Sequence, residues 1–257
     1  MRVTSIQLEI KERSKEQTLE SVLRLLERVP QSDILLLPEL WTCGFFSFER
    51  YSADSEPLDG PTVKAFQQKA SELNSYILMG SFVERDGHNL FNTSLLLDPK
   101  GRIQARYRKI HLFGYQSDEK RLLKRGEEVV VTETPWGKVG LSTCYDLRFP
   151  EFFRKMVDEG ATFFLVVSAW PMARLEAWIL FNRVRAHENL AYLFSCNCTG
   201  INQGNRYAGH SLFVNPLGQI VADGGEIESI LSIEVSMEAV SSIRKDFSAL
   251  DDRVFKS

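Results

Sequence analysis

The chain has 257 residues, 44% of them apolar and 25% charged, with a net charge of −3. That profile fits an ordinary globular protein long enough to bury a large core, and it offers nothing to draw nucleic acid or an acidic membrane. The longest apolar run, Phe163 to Trp170, falls far short of the ~20 residues of a membrane span, and the N-terminal MRVTSIQLEIKE lacks the apolar core of a signal peptide, so the chain is expected to be cytoplasmic.

Strands alternate with helices along the chain, beginning with a strand over 3–9. A helix over 15–29 follows, with Leu19, Val22, Leu26 and Val29 on one face and Ser14 and Gln17 placed for a capping box. Ile34 to Leu37 is a short, wholly apolar strand, and 61–74 is a helix with Pro61 in its first turn. Tyr76 to Val83 and Leu90 to Leu97 form a hairpin around Arg85-Asp86-Gly87-His88, and Arg102 to Tyr107 is the next strand. Strands at 128–134 and 138–143 lead to a helix at 150–159, a strand at 162–168 and a long helix at 174–190. The last strands fall at 191–197, 208–214, 219–223 and 229–235, with Asn215-Pro216-Leu217-Gly218 as a turn. No linker interrupts the pattern. The reading is one α/β domain over 1–257, with a tail from about 236 that packs on the surface or at a dimer interface.

The segment VGLSTCYDLRFPE, residues 139 to 151, is the most informative. An apolar strand runs into Cys144, and a turn precedes a helix at Pro150. Such an elbow presents a sulfur at the carboxyl edge of a sheet, beside a backbone N–H able to hold an oxyanion. Glu39 in ILLLPELW follows the apolar strand 34–37, and Lys109 in RYRKIHLF follows the strand 102–107. An acid, an amine and a thiol thus stand at three strand ends. Singly, Glu39 reads as a solvated carboxylate, and Lys109 as a surface charge beside Arg106 and Arg108.

Together these segments resemble the nitrilase superfamily of carbon–nitrogen hydrolases, and the resemblance runs from the first strand to about residue 235. It implies a four-layer α-β-β-α sandwich that dimerises through helices. It also implies that Cys144 attacks an amide carbon to form a thioester and that Glu39 moves the proton. Lys109 and the Tyr145 N–H would hold the oxyanion. A further glutamate of the family falls on Glu119 rather than Asp118. This chemistry needs no cofactor.

In the resembling family many acid-amide hydrolases carry an arginine after the strand at 162–168, and Arg174 is the matching residue. A guanidinium there suits a substrate carboxylate. Trp170, Tyr145 and Phe113 are the expected pocket walls. WPxxRxxxW, NCTG and AGHSLFVNPLG resemble the omega-amidase branch, including members associated with methionine salvage. That branch cleaves the terminal amide of a 2-oxo acid monoamide such as 2-oxoglutaramate and releases ammonia. The alternative substrates are an N-carbamoyl compound, another aliphatic amide or a nitrile.

Rival readings use other residues. A cysteine–histidine pair would draw on His111 or His210, whereas His88 and His187 read as structural. Cys196 and Cys198 alternate as C-x-C toward one face of a strand, and a zinc site there lacks two further ligands. Asp146, Arg148 and Glu151 are expected to brace the elbow through ion pairs and hydrogen bonds. A non-enzymatic scaffold or a thiol module would have no use for the set Glu39, Lys109 and Cys144.

Overall fold

The computed structural model describes residues 1–255. The first half contains β1 (Arg2–Gln7), β2 (Glu9–Ile10), α1 (Lys15–Leu26), β3 (Ile34–Leu36), α2 (Tyr51–Asp54), α3 (Pro61–Leu73), β4 (Tyr76–Asp86), β5 (Asn89–Leu97) and β6 (Ile103–Arg108). Next come α4 (Glu119–Leu122), β7 (Val131–Thr134), β8 (Gly137–Thr143), α5 (Pro150–Asp158), β9 (Ala161–Val167), α6 (Leu175–Glu188) and β10 (Tyr192–Cys196). The last elements are β11 (Thr199–Asn202), β12 (Asn205–Arg206), β13 (Leu212–Val214), β14 (Ile220–Asp223), β15 (Ser229–Glu234) and α7 (Glu238–Asp246).

Local signals set most of these boundaries. Gln17 N–H donates to Ser14 Oγ and Ser14 N–H to Gln17 Oε1, so α1 opens on the expected capping box. Asn74 takes a left-handed conformation, with φ of 49°, and stops α3 there. Two differences from the sequence pattern have backbone causes. The strand expected over 3–9 breaks at Leu8, and β2 turns away to pair with β11 in a small separate sheet with β12. The strand expected over 208–214 starts only at Leu212, because Gly209 and His210 both have positive φ. The polar tail contains a helix that its periodicity did not reveal. In α7, Val240 is buried, and Arg244 donates to the carbonyls of Ala161, Asn189 and Leu190.

Two six-stranded sheets carry the architecture, in the orders β15-β1-β3-β4-β5-β6 and β14-β13-β10-β9-β8-β7. Each has three parallel strands at its centre, β1, β3 and β4 in one and β8, β9 and β10 in the other. Alternation along the strands gives each sheet two buried faces. In the first sheet Leu35, Ile77, Met79 and Leu97 pack with Val22 and Leu26 of α1 and Val63 and Phe66 of α3. In the second, Phe164 meets Phe153 of α5 edge-on. The opposite faces meet each other. Ser5 Oγ donates to Ser195 O at 3.1 Å, and Cys196 Sγ to Ile6 O at 3.3 Å. Small side chains here let the sheets approach closely. The layers therefore run helix, sheet, sheet, helix, as expected. Among the described residues no helix is long and apolar enough to cross a membrane.

Candidate active site

The parallel strands place their carboxyl ends along one edge. Glu39 follows β3, Cys144 follows β8, and Ser168 to Trp170 follow β9. β6 runs antiparallel to β5, which runs antiparallel to β4, so β6 also delivers Lys109 to that edge. The two sheets are stitched there. Glu39 N–H donates to Ser168 O at 3.2 Å, and Ala169 N–H donates to Glu39 Oε2 at 2.9 Å.

The turn carrying Glu39 is clamped against a bulge in β4. Gly80 has φ of +72°, and a Cβ there would stand 2.1 Å from Pro38 O. Ser81 N–H donates to Pro38 O, while Ser81 Oγ accepts Leu40 N–H at 3.0 Å. Leu40 itself is left-handed at φ 44°, which stores strain beside the glutamate.

Lys109 is the centre of a buried charge cluster. Its Nζ donates to Glu39 Oε1 at 2.8 Å and to Glu119 Oε1 and Oε2 at 2.9 and 3.1 Å. All three side chains are fully buried. Burial opposes the ammonium, yet the carboxylates of Glu119 and Glu39 outweigh it and hold the Lys109 pKa above its ordinary value. Burial raises the Glu119 pKa and Glu39 raises it further, while Lys109 works the other way. Phe113 N–H donates to Glu119 Oε2 at 2.6 Å.

Cys144 sits on the elbow with φ of 50°. Only about a tenth of it is exposed, and it opens a short 3₁₀ turn over Cys144–Arg148. The early amides of that turn, Tyr145 among them, have no carbonyl one turn back to bond. Burial raises the Cys144 thiol pKa and Glu39 adds to the rise, while Lys109 opposes it. Asp146 fixes the elbow from beneath: its carboxylate accepts from Thr143 N–H, Tyr107 Oη and His111 N–H. That bracing role was expected.

A cavity of ≈ 210 Å³ opens above the sulfur. Cys144, Tyr145, Trp170, Phe113 and Arg174 all line it, together with Phe45 and Phe46. Every residue expected at the site thus lies in the charge cluster or on the cavity wall. The rival arrangements do not assemble. His111 Nδ1 is 2.7 Å from Asp146 Oδ1, and its ring stacks on Phe149. His210 Nδ1 pairs with Asp223. Among the described residues neither imidazole lines the cavity above Cys144. Cys196 and Cys198 do not share a face, because β10 ends at Cys196, and the two thiols pack in separate apolar clusters.

A family model described as carbon-nitrogen hydrolase matches residues 2–245. The chain belongs to the carbon–nitrogen hydrolase family. It is 34% identical over 237 residues to a 2-oxoglutaramate amidase from Paenarthrobacter nicotinovorans, an alignment covering 89% of this chain and 81% of that one. It is 30% identical over 243 residues to the omega-amidase NIT2 of Xenopus tropicalis, covering 90% and 87%. A crystal structure of XC1258 from Xanthomonas campestris, a superfamily member with an arsenic adduct in its active site, superposes with a TM-score of 0.92 at 32% identity over 100% of this chain and 98% of that one. The chain is therefore a hydrolase of carbon–nitrogen bonds, in the omega-amidase branch of the nitrilase superfamily.

Two residues of this hydrolase escaped the sequence reading. Asn92, in β5, donates through Nδ2 to Glu39 Oε1 at 2.8 Å and to Glu119 Oε1 at 3.1 Å. Its carbonyl accepts Lys109 N–H at 2.9 Å. The signal was an asparagine inside the apolar strand LFNTSLLL, where a buried amide needs partners. Arg148 is the second. It was expected to brace the elbow by ion pairs, but its guanidinium lies against the rings of Phe181, Trp170 and Tyr145 and lines the cavity.

Proposed function

We propose that this hydrolase cleaves the terminal amide of a small carboxylate-bearing substrate, most simply a 2-oxo acid monoamide such as 2-oxoglutaramate. The observation that carries the reading is the buried Lys109, held between Glu39 and Glu119 behind Cys144, on a cavity lined by Arg174. The sulfur of Cys144 attacks the amide carbon while Glu39 takes the thiol proton. The tetrahedral intermediate collapses, the carbon–nitrogen bond breaks, and Glu39 returns the proton so that ammonia leaves. Glu39 then takes a proton from water as the water attacks the thioester, and the thiolate recovers that proton. Lys109 and the Tyr145 N–H stabilise the oxyanion in both halves, each donor being worth roughly 10²–10³ in rate.

Arg174 supplies the grip on the carboxylate. Its guanidinium lies 4.9 Å from the Phe113 ring centre and 5.4 Å from that of Tyr115, so stacking orients its fork. Arg174→Gln is expected to raise KM for 2-oxoglutaramate about 10- to 100-fold, with a smaller effect on an amide lacking the carboxylate. Steady-state ammonia release on both amides checks this. Glu119→Gln is expected to lower kcat about 10²–10³-fold while the thermal transition survives, because Glu119 holds two of the contacts that position Lys109. Near-normal turnover would exclude that role.

The decisive assay is ammonia release from 2-oxoglutaramate, 2-oxosuccinamate, carbamoyl amino acids, simple aliphatic amides and nitriles. Turnover of 2-oxoglutaramate no faster than of simple amides would remove the substrate assignment. We also propose a cytoplasmic homodimer. The four free thiols suit a reducing compartment. Leu180, half-exposed on α6, suits pairing through that helix.

A further inference from the structure

Two guanidinium groups reach the cavity, and the mechanism uses one. Arg148 is half-buried, with its guanidinium carbon 5.1, 5.6 and 5.7 Å from the ring centres of Phe181, Trp170 and Tyr145. Among the described residues neither Arg148 nor Arg174 forms an ion pair or a side-chain hydrogen bond, and no aspartate or glutamate lines the cavity. An arginine walled by three rings has five N–H donors and few directions in which to satisfy them. The open direction is the cavity.

We propose that Arg148 is a second substrate anchor, donating to an acceptor on the carbon adjacent to the carboxylate that Arg174 holds. The inference rests on the carboxylate-amide reading above and narrows it to acids with a 2-oxo or similar acceptor group. A 2-oxo oxygen accepts a guanidinium N–H. A 2-ammonium group has no lone pair to offer and would enter a cavity whose wall carries two guanidinium groups and no carboxylate. Selection against amino-acid amides is thus built into the pocket by repulsion as well as by the attractive contact.

Two measurements test this. The first uses the unaltered protein and calorimetric binding of 2-oxoglutarate, glutarate and L-glutamate, which share a carbon skeleton. The expected order is 2-oxoglutarate tighter than glutarate by about ten-fold, with L-glutamate weakest. The second compares Arg148→Met with the unaltered protein on 2-oxoglutaramate and on glutaramate, which lacks the oxo group. The loss of kcat/KM on 2-oxoglutaramate is expected to exceed the loss on glutaramate by about ten-fold, and to appear mainly in KM. Equal losses on the two amides, or equal binding of the three acids, would overturn the role of Arg148 and leave the carboxylate-amide reading standing. Unaltered protein that does not prefer carboxylate-bearing amides over simple ones would overturn both.

Discussion

Replacing Cys144 by alanine is expected to end turnover while leaving the fold intact. The thiol is a small group on the floor of a cavity, so its loss enlarges space that is already open. The chemistry has no substitute for it. Removing a nucleophile that works with a base and an oxyanion site costs about 10⁴–10⁶ in kcat, because the remaining groups act only on the covalent route. Ammonia release measures the loss. Intact-mass analysis of samples quenched during turnover should find an acyl adduct on the unaltered chain and none on Cys144→Ala. A variant that retained turnover would refute the assignment. The other three thiols do not compete. Cys43, Cys196 and Cys198 lie deeper, none of them lines the cavity, and burial raises the pKa of each. Burial raises Cys144 as well, so its resting form is the thiol and not the thiolate. In the proposed mechanism, attack therefore depends on Glu39 accepting the proton as the carbon–sulfur bond forms.

The parts of this site that were legible in the sequence are those set by strand ends. An apolar run of four or more residues marks a buried strand, and the first polar residue after it must lie at a sheet edge. That logic reached Glu39, the strand-to-helix elbow reached Cys144, and Lys109, which follows the mixed strand RIQARYR, gained its role from the family resemblance. None of these reached Asn92, which sits within a strand and owes its role to a residue 53 positions away and another 27 positions away. Local pattern carries no information about such pairings. Gly80 was equally silent. It read as one residue of a strand, yet a bulge and a carbonyl from the Glu39 turn require it to lack a side chain. The α7 helix was missed because its amphipathic face is narrow, and it is anchored mainly by Val240 and by Arg244 reaching three carbonyls. Arg148 was misread for a different reason. Its neighbours Asp146 and Glu151 suggested ion pairs, but Asp146 is already saturated by Thr143, Tyr107 and His111.

Lys109→Met is expected to damage both activity and stability, and the two losses are separable. In the native cluster one ammonium stands between two fully buried carboxylates. Removing it leaves Glu39 Oε1 and Glu119 Oε1 facing the same Asn92 amide with no counter-charge. Breaking a buried ion pair from one side costs about 3–5 kcal/mol. The charge repulsion also predicts a pH signature. With the ammonium gone, the Glu119 pKa in the folded state rises further above the unfolded value of 4.5, in the direction it already takes. The folded variant then binds more protons at Glu119 than the unfolded chain does, so this contribution to stability is greatest in acid and falls as pH rises from 4.5 through the raised folded value. Lys109 itself adds no such slope to the native protein near neutrality. Its folded pKa lies above 10.5, so its contribution is complete below that value and lost only in strong alkali. Urea unfolding between about pH 5 and 8 should therefore show a steeper decline for Lys109→Met than for the unaltered chain, and parallel curves would contradict the buried-charge account. Adding Glu119→Gln to Lys109→Met removes one of the two uncompensated charges. The double variant should regain stability and lose the steep pH dependence. It should stay inactive, because neither methionine nor glutamine restores the ammonium that faces the oxyanion.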